Sequence, residues 1–307
     1  MSRIPLVSVG LPVFNGQKYI RQAIDSILNQ DFQDFELIIS DNASTDDTCS
    51  ICQEYARKDK RVRYYRNQSN IGAAPNHNRV FELASAQYFK WTAHDDENHP
   101  QLIGRCVDAL DRAPDSVVLA YPRVELINED GEVTGQYLVS VASDSPRPHL
   151  RLQTLLTCLD LGTPMYGIVR AAALRKTRLH GSFISADYVM LAELAMLGEI
   201  VEIPGALLRK RIHPGRSMEA NRVGGCDHLA WFDPRNLRRP RILQAGDRLT
   251  LEYLRSVWHV SMGIRERIAC ARVICTCTQR SRVARWKQRV QRALGLKVST
   301  GTAERPS

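Results

Sequence analysis

Three acids stand side by side in Asp95-Asp96-Glu97, within the stretch Lys90-Trp91-Thr92-Ala93-His94-Asp95-Asp96-Glu97-Asn98, where apolar, strand-like residues give way to polar ones. Adjacent carboxylates at a strand end can hold a hard divalent cation against a phosphate, because such cations take oxygen ligands and keep substrate phosphates in their shell. The chemistry to test is that of a nucleoside-diphosphate site. The structural alternative is that Asp96, Glu97 and Asn98 only precede and cap a helix begun at Pro100.

The elements that would position these residues are legible as a repeating unit. Leu6 to Val13 reads as a buried strand ending in Pro12-Val13-Phe14-Asn15-Gly16, which breaks regular structure. Ile20, Ala23, Ile24, Ile27 and Leu28 then share one helical face. Phe35 to Ser40 is a second strand, entering Asp41-Asn42-Ala43-Ser44-Thr45-Asp46-Asp47-Thr48 and a helix with Ile51, Cys52 and Tyr55. A short strand Arg61 to Tyr65, the loop Asn70-Ile71-Gly72-Ala73-Ala74-Pro75 and a helix to about Ala84 repeat the pattern, and Gln87 to Thr92 is a fourth strand. A helix with Leu102, Ile103, Cys106, Val107 and Leu110 follows. Alternation of this kind predicts parallel βαβ units, which bind ligands beyond the carboxyl ends of their strands. Phe14, Asp41, Gly72 and Asp95 are thereby expected on one rim.

Beyond Tyr121 the pattern changes. Val124 to Val133 alternates like a hairpin around Gly131, a helix is expected over Leu150 to Leu159, and a strand near Tyr166 to Arg170. Ser185-Ala186-Asp187 opens a helix to Leu197, and two short strands, Ile200 to Ile203 and Ala206 to Ile212, end at His213-Pro214-Gly215. Met218 to about Pro240 has loop composition, Leu249 to Val260 reads as helix, and Ser299 to Ser307 as disordered.

The formal charge of +9 is concentrated. Arg265 to Lys297 holds ten basic residues and one acid, Glu266, so the rest of the chain is nearly neutral. Such a block suits an anionic surface, lipid or nucleic acid. Ile264, Ile268, Ile274, Val283, Trp286, Val290 and Leu294 would supply an apolar face for a membrane. The alternative is a solvated helix surface. No apolar run is long enough to span a bilayer, and the N-terminal residues lack signal-peptide features, so the expected location is cytoplasmic, with peripheral attachment to the inner face of the membrane. The eight cysteines are expected as free thiols; Cys49-Ser50-Ile51-Cys52 has redox spacing but sits in an amphipathic helix, and Cys275-Thr276-Cys277 lacks the partners of a zinc site.

Taken in order, Val9-Gly10-Leu11-Pro12-Val13-Phe14-Asn15, Ile39-Ser40-Asp41-Asn42-Ala43-Ser44-Thr45-Asp46, Asn70-Ile71-Gly72, Asp95-Asp96, Asp187 and Arg211-Ile212-His213-Pro214-Gly215 resemble the ordered motifs of glycosyltransferase family 2, over about residues 6 to 215. The resemblance implies an α/β fold of the GT-A type: a Rossmann-like, mostly parallel sheet flanked by helices. Here that fold would occupy residues 1–215, with a nucleotide-binding half of about 6–120 and an acceptor half of about 121–215. An accessory region (216–260) and a basic helical segment with a tail (261–307) would follow.

The resemblance also implies transfer of a sugar, with inversion, from a nucleotide-diphosphate sugar to a hydroxyl of a glycan or lipid-linked acceptor in cell-surface polysaccharide or glycolipid synthesis. Pro12, Phe14, Asn15, Asp41, Asn70, Gly72 and Asp95 would bind the donor. Asp95, Asp96 and His213 would hold Mg or Mn, and Asp187 would be the general base. The family's usual acid two positions before Asp95 is Ala93 here. Each residue has a structural alternative: Phe14 as core, Asp41 as loop cap, Gly72 as turn, Asp187 as helix cap and His213 as turn histidine. Competing functions are a sugar nucleotidyltransferase, for which Pro12-Val13-Phe14-Asn15-Gly16-Gln17-Lys18 is a poor phosphate loop, and a non-catalytic anionic-polymer binder using the basic segment. Nucleic acid is not the expected partner, because it leaves the acidic rim unused.

Overall fold

The computed structural model describes residues 3–214, 231–238 and 245–293, with side chains as far as Gln279. Strands β1 (Val7–Val13), β2 (Phe35–Asp41), β3 (Val62–Arg66) and β4 (Tyr88–Trp91) lie in the order β3-β2-β1-β4, all parallel. Helices α1 (Ile20–Leu28), α2 (Thr48–Lys58) and α3 (Ala73–Glu82) connect them. β1 and β2 are buried along their whole length, as strands covered on both faces must be. α1 buries Ile20, Ala23, Ile24 and Ile27, the face its spacing predicts. Cys52 lies buried in α2, where loss of solvent pushes its thiol up to about 12, so its role there is packing.

The second half departs from the parallel pattern. β5 (Glu97–Asn98), α4 (Leu102–Arg112), β6 (Val117–Ile127), β7 (Val133–Tyr137), α5 (Pro148–Cys158), β8 (Ile168–Arg170), α6 (Ala171–Leu174), α7 (Ala186–Leu197) and β9 (Glu199–Arg211) complete the sheet and its cover. β8 runs antiparallel between β4 and β6, β9 is parallel to β6, and β5 is antiparallel to β9. The sheet is therefore mixed, with parallel order confined to the first four strands and the β6–β9 pair. Strict strand–helix alternation ends at β6, which turns back into β7 through Gly131 at φ +89°. The two short strands expected near Ile200 and Ala206 are one strand, β9, whose ladder slips beside Gly205 at φ +97° and Pro122.

The ladder between β1 and β4 ends before that between β1 and β2. β1 pairs with β2 as far as Val13↔Asp41, but with β4 only as far as Gly10↔Trp91. Pro12, two residues further on, has no N–H to extend that ladder. The loops that follow β1 and β4 carry Phe14 and Asp95, and they meet where Gly16 lies against the His94 ring.

Helices α8 (Ala245–His259) and α9 (Ile264–Ala293) pack against α5 and α7. Their anchor is polar: Arg178 donates to Glu193 of α7 at 2.6 Å, to Glu252 of α8 at 2.9 Å and to Ser256 Oγ at 2.6 Å. Ile274 is fully buried, so it belongs to the core and not to the exposed apolar face expected of α9. Val283, Trp286, Val290 and Leu294, most of the expected loop 218–240 and the expected disorder of 299–307 lie outside the residues or side chains described.

Gly10 sits where α3 crosses the sheet. A Cβ there would lie 2.6 Å from Val80 Cγ2 and 2.8 Å from Phe89 Cζ, both fully buried side chains. Gly10→Ala is expected to cost about 1–3 kcal/mol through overpacking. Urea unfolding would show this as a lower midpoint at unchanged slope.

Candidate active site

The loops after β1 and β2 are tied together, and to β3, by side-chain hydrogen bonds. Asn15, held at φ +52°, receives the Thr45 N–H on its Oδ1 at 2.9 Å, and its own N–H goes to Ser44 Oγ at 2.9 Å. Asp41 is fully buried; one carboxylate oxygen accepts from the Ser44 N–H at 2.8 Å and the other from the Tyr64 hydroxyl at 2.7 Å. Asp41 is therefore held inside the loop, while Asn15 is exposed next to Phe14. Phe14 is 40% exposed at the end of β1, as a ring must be to take a base on its face.

Asn42 organises the next loop. Its Oδ1 accepts from Ile71 N–H and Asn67 Nδ2, each at 2.9 Å, and its Nδ2 donates to Asn70 Oδ1 at 2.8 Å. Asn70 Oδ1 also accepts the Gly72 N–H at 2.9 Å. Gly72 has φ +92°, and a Cβ on it would lie 2.6 Å from the Phe232 carbonyl oxygen. Within the described residues, the backbone that Gly72 allows to come close is the chain's own at 232–233. Asp233 in turn accepts from Ser182 Oγ at 2.7 Å, so this segment links the Gly72 loop to the loop that enters α7.

At the end of β4, Asp95 and His213 come together, with Oδ2 to Nε2 at 2.9 Å. Burial alone would raise the Asp95 pKa, but the field of His94, the His213 hydrogen bond and the charge of Lys210 outweigh it and hold the carboxyl well below the usual range. Asp96 faces the other way. It is buried, accepts the Arg211 N–H at 3.0 Å and meets Lys210 Nζ at 3.4 Å. The triad expected from the sequence is thus a pair, Asp95 and His213, with Asp96 drawn off by the backbone and side chain of β9. Glu97, the third adjacent acid, is bound to Arg211 at 2.6 Å. Among the described residues, no three His, Cys, Asp or Glu side chains converge as a metal cage.

Arg211 fixes this corner. It is 2% exposed and uses every N–H: Nε to the Asp95 carbonyl at 3.0 Å, Nη1 to the carbonyls of Asn128 and Glu129 at 3.1 and 2.9 Å, and Nη2 to Gln22 Oε1 at 2.9 Å and Glu97 Oε1 at 2.6 Å. Its guanidinium lies 4.6 Å above the Tyr19 ring, whose centroid is 5.1 Å from that of His213.

Asp187 lies in the first turn of α7, entered through Ser185 at φ +63°. Burial pushes its pKa up to about 6, against the opposing effects of the Tyr188 and Asp187 N–H groups and the charge of Lys210. Gly162, at φ +27°, packs onto this carboxylate, and a Cβ there would overlap Asp187 Oδ2. Lys210 is the cation common to the two ends of the site. Its field reaches Asp95, Asp96 and Asp187, and its Nζ lies 5.0 Å over the Tyr166 ring. Burial would lower its pKa, but Asp96, Tyr166 and Asp95 raise it, so it stays protonated.

Sequence reasoning passed over Lys210, the role of Arg211, Gly162 and Asn42. The available signal was Arg209-Lys210-Arg211, three cations in a strand that also buries Leu207 and Leu208. Lys18, the one cation in the loop after β1, is bonded to Glu129 at the surface.

A model described as glycosyl transferase family 2 matches residues 8–173, more than half of the chain, and the chain belongs to that family and is a glycosyltransferase. An uncharacterized glycosyltransferase of Haemophilus influenzae is 28% identical over 220 residues, 69% of this chain and 67% of its own length. The GalNAc(5)-diNAcBac-PP-undecaprenol beta-1,3-glucosyltransferase of Campylobacter jejuni is 41% identical over 95 residues, 31% of each chain. The fold is GT-A: TarS 1–349 of S. aureus in complex with UDP superposes with TM-score 0.56 at 17% identity over 91% of each chain. The mannosyltransferase PcManGT of Pyrobaculum calidifontis, in complex with GDP-Man and Mn2+, gives 0.52 at 16% identity over 88% of this chain and 74% of that one.

Arg211→Met keeps the side-chain length but leaves Glu97 and the Asn128, Glu129 and Asp95 carbonyls without their donor. It is expected to destabilise the fold by on the order of 3 kcal/mol, measurable by thermal and urea unfolding.

Proposed function

We propose that the chain transfers a sugar, with inversion, from a nucleotide-diphosphate sugar to a hydroxyl of a glycan or lipid-linked acceptor in cell-surface polysaccharide or glycolipid synthesis. The observation that carries this reading is the contrast between two carboxyl groups in the field of one lysine. Asp95 is held ionised, as a cation ligand must be, while Asp187 is poised near neutrality, as a general base must be. The nucleotide sugars named with the structural neighbours, UDP-GlcNAc and GDP-Man, and the UDP named with another support the donor class, and the C. jejuni relative's name supports a lipid-linked acceptor.

Asp95 and His213, one carboxylate and one imidazole, would hold a Mg or Mn ion together with the donor's diphosphate. When bound, that ion neutralises charge on the leaving diphosphate. The chain's own residues do the rest. Phe14 takes the base against its ring. The acceptor oxygen bonds to the anomeric carbon, its proton passes to an Asp187 carboxylate oxygen, and the bond to the diphosphate breaks with the electron pair leaving on the diphosphate oxygen. Lys210 adds positive charge felt at both carboxylates. Gly162 leaves room for the Asp187 carboxylate in this position.

Two outcomes test this. Transfer should follow the ionised fraction of Asp187, so kcat falls as pH drops below about 6. Asp187→Asn should lower kcat by about 10²–10⁴-fold with donor affinity retained. Because folding raises the Asp187 pKa, its ionisation opposes folding progressively from about pH 4 to pH 6. The Asn variant should therefore be more stable than the parent at neutral pH, by about 1–3 kcal/mol, and no more stable below about pH 4. A variant that retains full kcat with an unchanged pH profile contradicts the assignment. Separately, Gly162→Ala should reduce kcat by about tenfold or more while leaving donor affinity intact, because the added methyl displaces the base and not the donor.

A further inference from the structure

The corner between α8 and α9 exposes apolar side chains that nothing in the described structure covers. Trp258 is 69% exposed, Ile264 61% and Ile268 47%. They form one surface: Ile264, Arg267 and Ile268 share a face of α9, and Arg267 lies 5.4 Å over the Trp258 ring while donating to the Val257 and Trp258 carbonyls at 2.8 and 3.0 Å. Arg265, next to Ile264, and Arg272, one turn beyond Ile268, are exposed beside it, as is Arg255, which is paired with Glu252 one turn before Trp258; Arg147 is exposed within the field of Glu266. The acids of α8 and α9 near this corner are already engaged. Glu252 is buried against Arg178, Arg248 and Arg255, and Glu266 is bonded to His149 at 2.6 Å.

We infer that this corner docks on an anionic lipid surface, with Trp258, Ile264 and Ile268 entering the headgroup region and the surrounding arginines meeting lipid phosphates. The inference adds a docking face to the lipid-linked acceptor of the proposed function, and it does not depend on donor chemistry. An exposed apolar patch marks an interaction site, and tryptophan with flanking arginines suits a membrane–water boundary. Charge decides between partners: a second copy docked about a two-fold axis would set arginine against arginine, whereas an anionic bilayer is complementary. The attachment lies at the elbow itself, earlier in the chain than most of the apolar stripe that the sequence suggested. Among the described helices none is long and apolar enough to cross a membrane, so such contact would be at the surface.

The test is flotation of the full chain with vesicles of phosphatidylcholine alone or with about a quarter phosphatidylglycerol, at low and high salt. The native chain should bind the anionic vesicles at low salt and lose them at high salt. The triple variant Trp258→Ser, Ile264→Ser, Ile268→Ser and the double variant Arg265→Glu, Arg272→Glu should each bind at least about tenfold more weakly. Circular dichroism and nucleotide-sugar binding should be unchanged in both. Retained vesicle binding by both folded variants overturns the inference, as does equal binding to neutral vesicles. A dimer in light scattering that the triple variant dissolves, without vesicle binding by the native chain, assigns the patch to a second copy. Loss of binding to RNA in the variants, again without vesicle binding by the native chain, assigns it to nucleic acid. Failure of the glycosyltransferase reading would appear differently, as absent donor binding in a chain that still floats.

Discussion

Arg211 is the point at which the two halves of the sheet become one site. Its five N–H groups join the Asp95 loop, β5, α1 and the β6–β7 turn, and its backbone N–H holds Asp96. A buried guanidinium tolerates no unfilled donor, so the positions of all these elements are set together. His213, two residues along the chain, then has little choice but to meet Asp95. The acid–imidazole pair follows from satisfying one cation.

From that fixed corner the electrostatics spread outward in a consistent order. Lys210 precedes Arg211 on β9, and its charge reaches both the ionised Asp95 and the poised Asp187. Asp187 is destabilised where it stands, since burial opposes its charge, and Gly162 leaves it space at the expense of a strained turn. Stability is given up at the residue proposed to take the proton, and the Arg178–Glu193–Glu252 cluster behind α7 holds that helix in place.

The sequence carried the first half of the fold clearly, because β1, β2 and α1 have the periodicities that burial requires, and their loops hold Phe14, Asn15 and Asp41 at the carboxyl edge. It carried less of the second half. The antiparallel β8 has three residues, and the β9 ladder slip at Gly205 reads as a break when strands are judged by local pattern alone. The site shows the same division. Asp95, Asp187 and His213 were visible as residue types that do chemistry. Asp96 could not be separated from Asp95, because which of two adjacent carboxylates turns inward depends on Lys210 and the Arg211 backbone, over a hundred residues away. Gly72 was visible as a special backbone position, but what approaches it, Phe232 and Asp233, is a tertiary fact.

The central claim is that Asp95 and His213 form a cation-assisted diphosphate site despite Ala93. Calorimetric titration with UDP-, dTDP- and GDP-sugars, with and without Mn2+, on the native chain and Asp95→Ala, tests it most directly. One donor is expected to bind in a metal-dependent manner, and the variant to lose that dependence. Donor binding that is equal with and without the ion in both proteins, or no donor binding by the folded native chain, would contradict it.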